Sequence, residues 1–382
     1  MTEKTVGRHT TPLRALRVTQ TVSTEQSRRQ NRTLLLQTLF RSGPLSRTDL
    51  VHRSGLSKPM VSDLVGELLE RDVIEESGTR RVSGAGKPAT LLGVRSDAFQ
   101  IIAVDLSDEH RFVGVVTNLR GAVLHRAEAR VAGESGDRAL HLVADLVARL
   151  QQLATAPVLG VGMGTPGVVT GKRVVRLAST LDWHDVDMAD RVRRTFTGPV
   201  QVANDANAAA LGMYTYRGAE RSSLMLVTIE HGVGAGLIIG GSLVEGTQFS
   251  AGEIGHIVVD DDGEACMCGL RGCLDLAVSA PNLRRRIDAD PEDRDGILLR
   301  GAGTLGRALA PMIAMTGVSD VVVAGPVDLV TPAFLAEVKK TITSRVFWSV
   351  SDGLAVEAAP GGEDLVLLGA AALVLTSELG VS

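Results

Sequence analysis

Apolar residues recur at helical spacing in three segments near the start of the chain. The first segment carries four apolar residues on one side: Leu35, Leu36, Leu39 and Phe40. The second starts with Ser46 and Asp49 in the spacing of a capping box and ends at Gly55. The third starts after Ser57 and has apolar residues at positions i, i+3, i+4 and i+7: Val61, Leu64, Val65 and Leu68. The pattern predicts three short consecutive helices.

The second and third predicted helices are separated by a glycine-containing turn, which is the arrangement of a helix-turn-helix. The third helix begins with small polar and basic residues: Ser57, Lys58 and Ser62. Beyond it, VIEES and TLLGV predict two strands around a loop with three basic residues: Arg80, Arg81 and Lys87. This combination indicates a DNA-binding winged helix-turn-helix over residues 26–95. A helical bundle with a basic loop is the alternative interpretation.

From Gln100 the pattern changes to alternating strands and helices. QIIAVDLSD, RFVGVVTN and AVLHRAEARV are predicted as strands, and residues 137–153 as an amphipathic helix. VLGVGMGTPG and PVQVAN are predicted as buried strands, the second leading into an alanine-rich helix. SLMLVTIEHGVGAGLIIGG predicts two strands around a glycine-rich turn. Further on, residues 297–316 predict an apolar helix, VVVAG a parallel strand and EDLVLLGAAALVLTSEL a closing helix.

These strand and helix units recur in two halves and predict an α/β fold of two lobes with a cleft between them. This α/β body would span residues 96–382. We expect lobe one at about 98–205 with the helix at 364–380, and lobe two at about 206–360. Residues 1–25 are polar and show no apolar period, so they are predicted to form a disordered arm.

Charge separates the two ends of the chain. The first 100 residues contain 16 Lys and Arg against 10 Asp and Glu, a balance of +6, which leaves −10 for the remainder. A basic first quarter favours a polyanion-binding module, with a chance excess of arginine as the alternative. The sequence has no run of 18 apolar residues, and its N-terminus lacks the apolar run of a signal peptide. We therefore expect a cytoplasmic protein.

All three cysteines of the 382-residue chain lie within eight positions, with a histidine ten residues upstream. The candidate ligands follow the spacing His256-x9-Cys266-x-Cys268-x4-Cys273. Three thiolates and one imidazole match a closed tetrahedral zinc site, and such a site has no open position for activating water. We expect one structural zinc ion per chain. Three free thiols beside an unrelated histidine are the alternative.

Four motifs occur together in the second half: NDANAAAL, GVGAG, GEIGHI and CMCGLRGC. In these motifs, their order and their spacing, the sequence resembles the ROK family of repressors, open reading frames and sugar kinases. The resemblance covers about residue 30 to the end. It implies a two-lobed, actin-like ATPase fold, and it implies that the histidine and the cysteines hold structural zinc. A winged helix-turn-helix before the body distinguishes the repressors of the family from its kinases.

The resemblance also implies a sugar site. Its motifs assign sugar contacts to five residues: Asn204, Asp205, Glu253, His256 and Asp275. Carboxylates and an amide suit the ring of hydroxyls that a sugar presents. A helix cap is the alternative role for Asn204 and Asp205, which follow a predicted strand. Asp275 stands where the family usually has Glu, so its side chain is one methylene shorter.

Three loops that approach ATP in the family's kinases are altered here. The first phosphate loop reads Asp105-Leu106-Ser107-Asp108-Glu109, the second Glu230-His231-Gly232-Val233-Gly234, and the late Gly-Gly pair Ala324-Gly325-Pro326. Carboxylates in these loops repel a tetraanion by about 4 kcal/mol per pair at 4 Å and an effective dielectric of 20. We therefore expect no kinase activity, and Asp205 would be a catalytic base only if the protein were a kinase.

Together these features predict a sugar-responsive transcriptional regulator, foremost a repressor of carbohydrate uptake or catabolism genes. Its expected partners are double-stranded operator DNA, a sugar or sugar-derivative effector and further copies of the chain in a homodimer or tetramer. One alternative is an ATP-dependent sugar kinase of the hexokinase type with an added DNA-binding domain. Another is a DNA-binding protein whose sugar pocket is no longer active.

Overall fold

The computed structural model describes residues 24–80, 88–171, 173–217, 221–360 and 364–381. Its N-terminal part consists of helices and short strands: α1 (Thr24–Ser42), β1 (Leu45–Ser46), α2 (Arg47–Ser54), α3 (Lys58–Glu70), β2 (Ile74–Arg80) and β3 (Ala89–Val94). The strands form an antiparallel sheet in the order β1-β3-β2. The three predicted helices and the hairpin are thus confirmed. β1 was not predicted, because a strand of two residues is too short to show an alternation of apolar and polar residues. The predicted disordered arm lies outside the described residues, apart from its last two positions.

The turn signals read from the sequence have the local structure that they predict. The Ser46 side chain accepts a hydrogen bond from the Asp49 backbone N–H, and the Asp49 carboxylate accepts one from the Ser46 backbone N–H. α2 ends at Gly55, whose φ of 71° is left-handed. The four apolar residues that define α3 are all buried: Val61, Leu64, Val65 and Leu68. α1 is tied to α3 because Arg28 and Arg32 both pair with Glu67.

The next part is built on a five-stranded sheet in the order β11-β7-β4-β5-β6. Its elements in chain order are β4 (Gln100–Asp105), β5 (Arg111–Asn118), β6 (Val123–Arg130), α4 (Gly136–Leu153), β7 (Val158–Thr165), β8 (Val168–Thr170), β9 (Val174–Ala178), β10 (Trp183–Asp187), α5 (Met188–Val192) and β11 (Val200–Asn204). β4, β7 and β11 are parallel, so their carboxyl ends meet at one edge of the sheet. The small sheet of β8, β9 and β10 was not anticipated, since its strands are short and mix polar with apolar residues.

The remaining residues form a second five-stranded sheet, in the order β14-β13-β12-β15-β16, together with helices. The elements are α6 (Asp205–Arg217), β12 (Leu224–Ile229), β13 (Val233–Ile239), β14 (Ser242–Leu243), α7 (Leu274–Val278), α8 (Ala280–Ala289), α9 (Arg294–Thr316), β15 (Asp320–Ala324), α10 (Pro332–Thr343), α11 (Trp348–Ser351), β16 (Ala355–Ala358) and α12 (Leu365–Leu379). The mixed α/β, ROK-like actin fold predicted from the sequence is confirmed. None of the helices in the described ranges is both long and apolar enough to cross a membrane.

The first five-stranded sheet is buried on both faces, and the N-terminal part covers one of them. Along β4, Ile102 and Val104 face a core with α4, whereas Ile101 and Ala103 face a core shared with α1, α3 and α12. Successive strand residues point to opposite faces, so the unbroken apolar run of β4 fits this double burial. The DNA-binding unit predicted for residues 26–95 therefore packs directly on the body through a common hydrophobic core.

Candidate functional site

The predicted metal ligands come together in one cluster. The ligand atoms of His256, Cys266, Cys268 and Cys273 all lie within 4.8 Å of one another. The Cys266 Sγ is 3.7 Å from the His256 Nδ1, and the Cys268 Sγ is 3.6 Å from the Cys273 Sγ. Two sulfur ligands bound at 2.3 Å and at the tetrahedral angle to one ion are about 3.8 Å apart. The donor set and its spacing therefore fit a four-coordinate metal ion.

The backbone around this cluster explains the glycines between the cysteines. The Cys266 N–H donates to the Leu270 carbonyl at 2.8 Å, which closes a tight turn around the ligands. Gly272 has a φ of 65°, and a Cβ there would lie 1.6 Å from the Asp260 carbonyl oxygen. Only glycine fits that position. The loop thus brings the two buried thiols and the exposed Cys268 to the same point.

The predicted sugar residues Asn204 and Asp205 lie where β11 passes into α6. The Asn204 Oδ1 accepts from the Asn207 backbone N–H at 3.2 Å, and the Asn204 Nδ2 donates to the Gly167 carbonyl at 3.1 Å. Asn204 therefore caps α6, which was the alternative role considered for it. The Asp205 Oδ1 accepts from the Ala206 N–H at 2.7 Å. Each side chain keeps further hydrogen-bonding capacity.

Asp205 has a strongly perturbed acidity. Burial raises its pKa to about 7, and the neighbouring carboxylates of Asp105 and Glu253 act in the same direction. Asp105 ends β4 and Asn204 ends β11, and these two strands flank β7 on either side. The shared carboxyl edge of the parallel strands is therefore the reason that Asp105 and Asp205 are neighbours. Burial also raises the pKa of Asp105, although Ser107 donates to its carboxylate.

The other three predicted sugar residues lie at the His–Cys ligand cluster: His256 belongs to it, and Glu253 and Asp275 are close to His256. The Asp275 Oδ2 is 3.9 Å from the His256 Nδ1, and the Asp275 Oδ1 accepts from the Val233 N–H at 2.6 Å. Burial raises the pKa of Glu253, with His256 opposing and Asp275 reinforcing the shift. Electrostatic contact thus links Asp205, Glu253, His256 and Asp275 into one acidic site.

Gly255 is a further residue that this site needs. A Cβ at Gly255 would lie 2.2 Å from the Asp275 Oδ1 and 2.5 Å from the Val233 carbonyl oxygen. The glycine of the GEIGH motif therefore lets the chain pass close to Asp275. The motif itself contained this signal, but the contact partner is 20 positions away in the sequence.

The altered phosphate-loop positions carry negative charge into the same region. Glu230 lies in the turn between β12 and β13. Desolvation raises the pKa of Glu230, and Asp105 and Asp108 add to the shift while His231 and Arg284 oppose it. The two loops therefore face each other closely enough for their carboxylates to interact. Glu109, by contrast, is exposed and does not contribute to these shifts.

The residues predicted to contact DNA divide into three groups. Ser57, Lys58 and Ser62 are exposed at the start of α3, and the Ser57 side chain makes no capping hydrogen bond. Arg80 ends β2 and forms an ion pair with Asp49 at 2.7 Å, which was not anticipated. Arg81 and Lys87 lie outside the described residues. The start of α3 therefore presents free polar and cationic groups to solvent.

Comparisons with known proteins find relatives from one family, the ROK family. The ROK family profile matches residues 101–377. A xylose repressor of Caldicellulosiruptor bescii is 28% identical over 91% of this chain and 96% of its own length. A glucokinase of Thermotoga maritima is 26% identical over 72% of this chain and 97% of its own length. The glucokinase thus leaves more than a quarter of this chain unmatched, whereas the repressor leaves less than a tenth.

Solved structures show the same difference in coverage. A ROK family transcriptional regulator, described as a homologue of the Escherichia coli Mlc protein, covers 92% of this chain with a TM-score of 0.81 and 20% identity, over 97% of its own length. A ROK family glucokinase from Streptomyces griseus, solved with glucose and AMPPNP, covers 71% with a TM-score of 0.62 and 26% identity, over 98% of its own length. With the profile matching most of the chain and these folds superposing on it, the protein belongs to the ROK family.

Proposed function

We propose that this protein is a sugar-responsive DNA-binding regulator, foremost a repressor of carbohydrate uptake or catabolism genes, without kinase activity. One observation carries the proposal: a helix-turn-helix with an exposed recognition-helix start packs through a shared core on a ROK body. The likeness to xylose repressors over nearly the whole chain supports it. The ROK glucokinases match 71–72% of the chain.

In this proposal α3 enters the major groove and directs Lys58 and Ser62 toward base edges. Ser57 and the wing residues Arg80, Arg81 and Lys87 contact the DNA backbone or an adjacent minor groove. Arg80 would exchange its ion pair with Asp49 for a phosphate, at little net cost because exposed ion pairs are weak. One such module buries too little surface for tight binding, so a homodimer, alone or within a tetramer, binds a pseudo-palindromic operator.

The effector is a sugar held by five residues: Asn204, Asp205, Glu253, His256 and Asp275. Their convergence supports this assignment: Asp205, Glu253, His256 and Asp275 interact electrostatically, and Asn204 directly precedes Asp205 at the carboxyl end of β11. Paired carboxylates accept hydrogen bonds from neighbouring hydroxyls, which is the chemistry that a sugar offers. The shorter Asp275 is already bonded to the Val233 amide, so its free Oδ2 is the atom available to the ligand.

The metal in this proposal is zinc, one ion per chain, bound by His256, Cys266, Cys268 and Cys273. Three thiolates and an imidazole are the ligands of structural zinc, and four protein ligands leave no site for a reactive water. The His256 Nδ1 faces the cysteine cluster, which leaves the opposite ring nitrogen for a sugar hydroxyl. The metal therefore orients a sugar ligand and does not take part in a reaction.

ATP phosphorylation of a sugar is the rival function, and the charge of the cleft argues against it. Asp105, Asp108 and Glu230 surround the place of the phosphate loops with carboxylates that already interact with one another. A tetraanionic nucleotide would add several repulsions, each of about 4 kcal/mol at 4 Å and an effective dielectric of 20. These repulsions oppose nucleotide binding, since a micromolar site has only about −8 kcal/mol of binding free energy.

The test incubates the purified chain with ATP, Mg²⁺ and a panel of unmodified pentoses, hexoses and disaccharides, and measures ADP release and melting temperature. We expect no sugar-dependent ADP release and a rise of melting temperature with one sugar class. Robust sugar-dependent ADP release would identify a kinase. A panel without any stabilising sugar would instead leave a DNA-binding protein with an inactive pocket.

A further inference from the structure

The end of helix α1 in the DNA-binding unit is held from two sides of the body. From the first sheet, the Arg120 Nη1 donates to the Phe40 carbonyl at 2.5 Å, and its guanidinium lies 4.5 Å from the centre of the Phe40 ring. From α6, the Tyr214 hydroxyl accepts from the Arg41 Nη2 at 2.6 Å, with the guanidinium 5.0 Å from the ring centre. Two consecutive residues of α1 therefore contact different parts of the body.

α6 connects this contact to the proposed sugar site. It begins at Asp205 and ends at Arg217, so Tyr214 and Tyr216 lie in its last turn, about 14–17 Å of helix from its first residue at a rise of 1.5 Å each. A helix of this length transmits a displacement of one end to the other, because its backbone hydrogen bonds resist bending. A change at Asp205 therefore reaches the end that touches α1.

α6 packs on the second sheet without room for independent movement. A Cβ at Gly236 of β13 would lie 2.4 Å from the Ala210 Cβ and 2.5 Å from the Ala206 carbonyl oxygen. The Tyr214 hydroxyl is also close to the turn after β13, since a Cβ at Gly241 would lie 2.8 Å from it. α6 packs as closely on α12, since a Cβ at Gly369 would lie 1.7 Å from the Ala208 carbonyl oxygen, so α6 is held between the second sheet and α12.

α12 ties the other side of α1 to the first sheet in the same manner. A Cβ at Gly162 of β7 would lie 1.8 Å from the Ala370 carbonyl oxygen, and one at Gly380 would lie 2.3 Å from the Thr33 Oγ1 of α1. α1 is therefore attached to the first sheet through Arg120 and α12, and to α6 through Arg41 and Phe40. A displacement of α6 relative to the first sheet has to strain these attachments.

Tyr216 adds a second observation at the same place. Its ring meets the Phe40 ring edge-on with centres 6.2 Å apart, and its buried hydroxyl has no hydrogen-bond partner among the residues that the structure describes. A buried hydroxyl without a partner destabilises the arrangement in which it occurs. The contact of α6 with α1 thus combines favourable contacts, among them the Arg41–Tyr214 hydrogen bond and the Phe40–Tyr216 ring pair, with an unfavourable group, the Tyr216 hydroxyl.

We propose that the contact of Tyr214 and Tyr216 with Arg41 and Phe40 is the joint through which sugar occupancy reaches the DNA-binding unit. The proposal rests on the proposed function. The arrangement described here is one of two states, and sugar shifts their populations because it binds them unequally. Tyr214 stabilises this state through Arg41, and the Tyr216 hydroxyl disfavours it. Tyr214 and Tyr216 are accordingly positioning residues that touch neither sugar nor DNA.

The test compares Tyr214→Phe and Tyr216→Phe, which each remove one hydroxyl and keep the ring. The DNA probe is a duplex enriched by the wild-type chain from a randomised library, and the sugar is the panel member that stabilises the wild type most. We measure the sugar concentration that gives half of the maximal change in DNA affinity. The two variants should shift this concentration in opposite directions, each by about three- to tenfold. Arg41→Gln should reproduce Tyr214→Phe, and Arg300→Gln on α9 should leave the value unchanged.

Unchanged values, or shifts in the same direction, would overturn the joint while leaving the proposed function intact. A wild-type chain whose DNA affinity responds to no sugar of the panel would contradict both. Melting temperatures and calorimetric sugar affinity without DNA accompany each variant. A shift that follows from lost sugar affinity in the absence of DNA would also count against the joint, because it would place Tyr214 or Tyr216 in the sugar site.

Discussion

At the scale of single residues, local signals were predictable and long-range contacts were not. The capping box of Ser46 and Asp49 and the cluster around His256 depend on positions close in sequence, and both appear as expected. Asp105 was seen only as part of an altered loop, since its proximity to Asp205 depends on strand order. The ion pair of Asp49 with Arg80 joins residues 31 positions apart and left no trace in the local pattern.

Asp205 gives a prediction with a defined pH dependence. Its pKa of about 7 in the folded chain lies above the ordinary value of 3.8, so the folded state loses stability as the pH rises from 3.8 to about 7 and keeps this full penalty above pH 7. Asp205→Asn should therefore raise the free energy of unfolding most above pH 7. The gain should fall by about 1.4 kcal/mol per pH unit between pH 7 and pH 5.5. Denaturant titrations at several pH values measure this, and exposed Asp288→Asn is the control. An Asp205→Asn gain in unfolding free energy that does not change with pH would contradict the raised pKa of Asp205.

At the scale of elements, helix ends and turns carry the candidate chemistry. The start of α3 is exposed, the start of α6 carries the acid site, and the loop before α7 carries the metal cluster. The sequence predicted these elements because their periods and caps are local. It did not predict the small sheet of β8, β9 and β10, whose strands are too short and too polar to show a period.

The loop that carries the four proposed zinc ligands predicts that zinc binding and sugar affinity are linked. Cys268→Ser removes one of four ligands, so zinc content should fall from one ion per chain, and the melting temperature should drop. Sugar affinity should weaken as well, because His256 and Asp275 are neighbours at 3.9 Å. Metal analysis and calorimetry measure both. Met267→Ser is the matched control, since Met267 is 75% exposed and is not a ligand. Full zinc content in Cys268→Ser would contradict the four-ligand site.

The exposed start of α3 predicts that operator binding can be weakened without a change in sugar binding. Lys58→Ala removes an exposed cation at the first turn of the helix, so operator binding should weaken by about 1–3 kcal/mol. Calorimetric sugar affinity should stay at the wild-type value. Lys339→Ala, an exposed lysine on α10, is the control for loss of one positive charge. Equal loss of sugar and operator binding in Lys58→Ala would show that the two sites are not separate.

At the scale of the whole molecule, the fold class and the order of the parts followed from sequence, but their attachment did not. The periods indicated a winged helix-turn-helix before a two-lobed α/β body. They contained no sign that β4 would bury Ile101 and Ala103 against the DNA-binding unit. An apolar run predicts burial on both faces of a strand, but it does not identify the partner. In the proposed function, this shared core provides a direct physical connection between the sugar site and the DNA-binding unit.

The central claim is that one chain binds specific DNA and that a sugar changes this binding. The most direct measurement is a titration of the purified full chain with the duplex enriched from a randomised library, at constant salt, with and without each sugar of the panel. The account predicts affinity about a thousandfold above that for unselected DNA, and a change of at least about fivefold with one sugar class. A selection that enriches no sequence, or an operator affinity that no sugar alters, would contradict it.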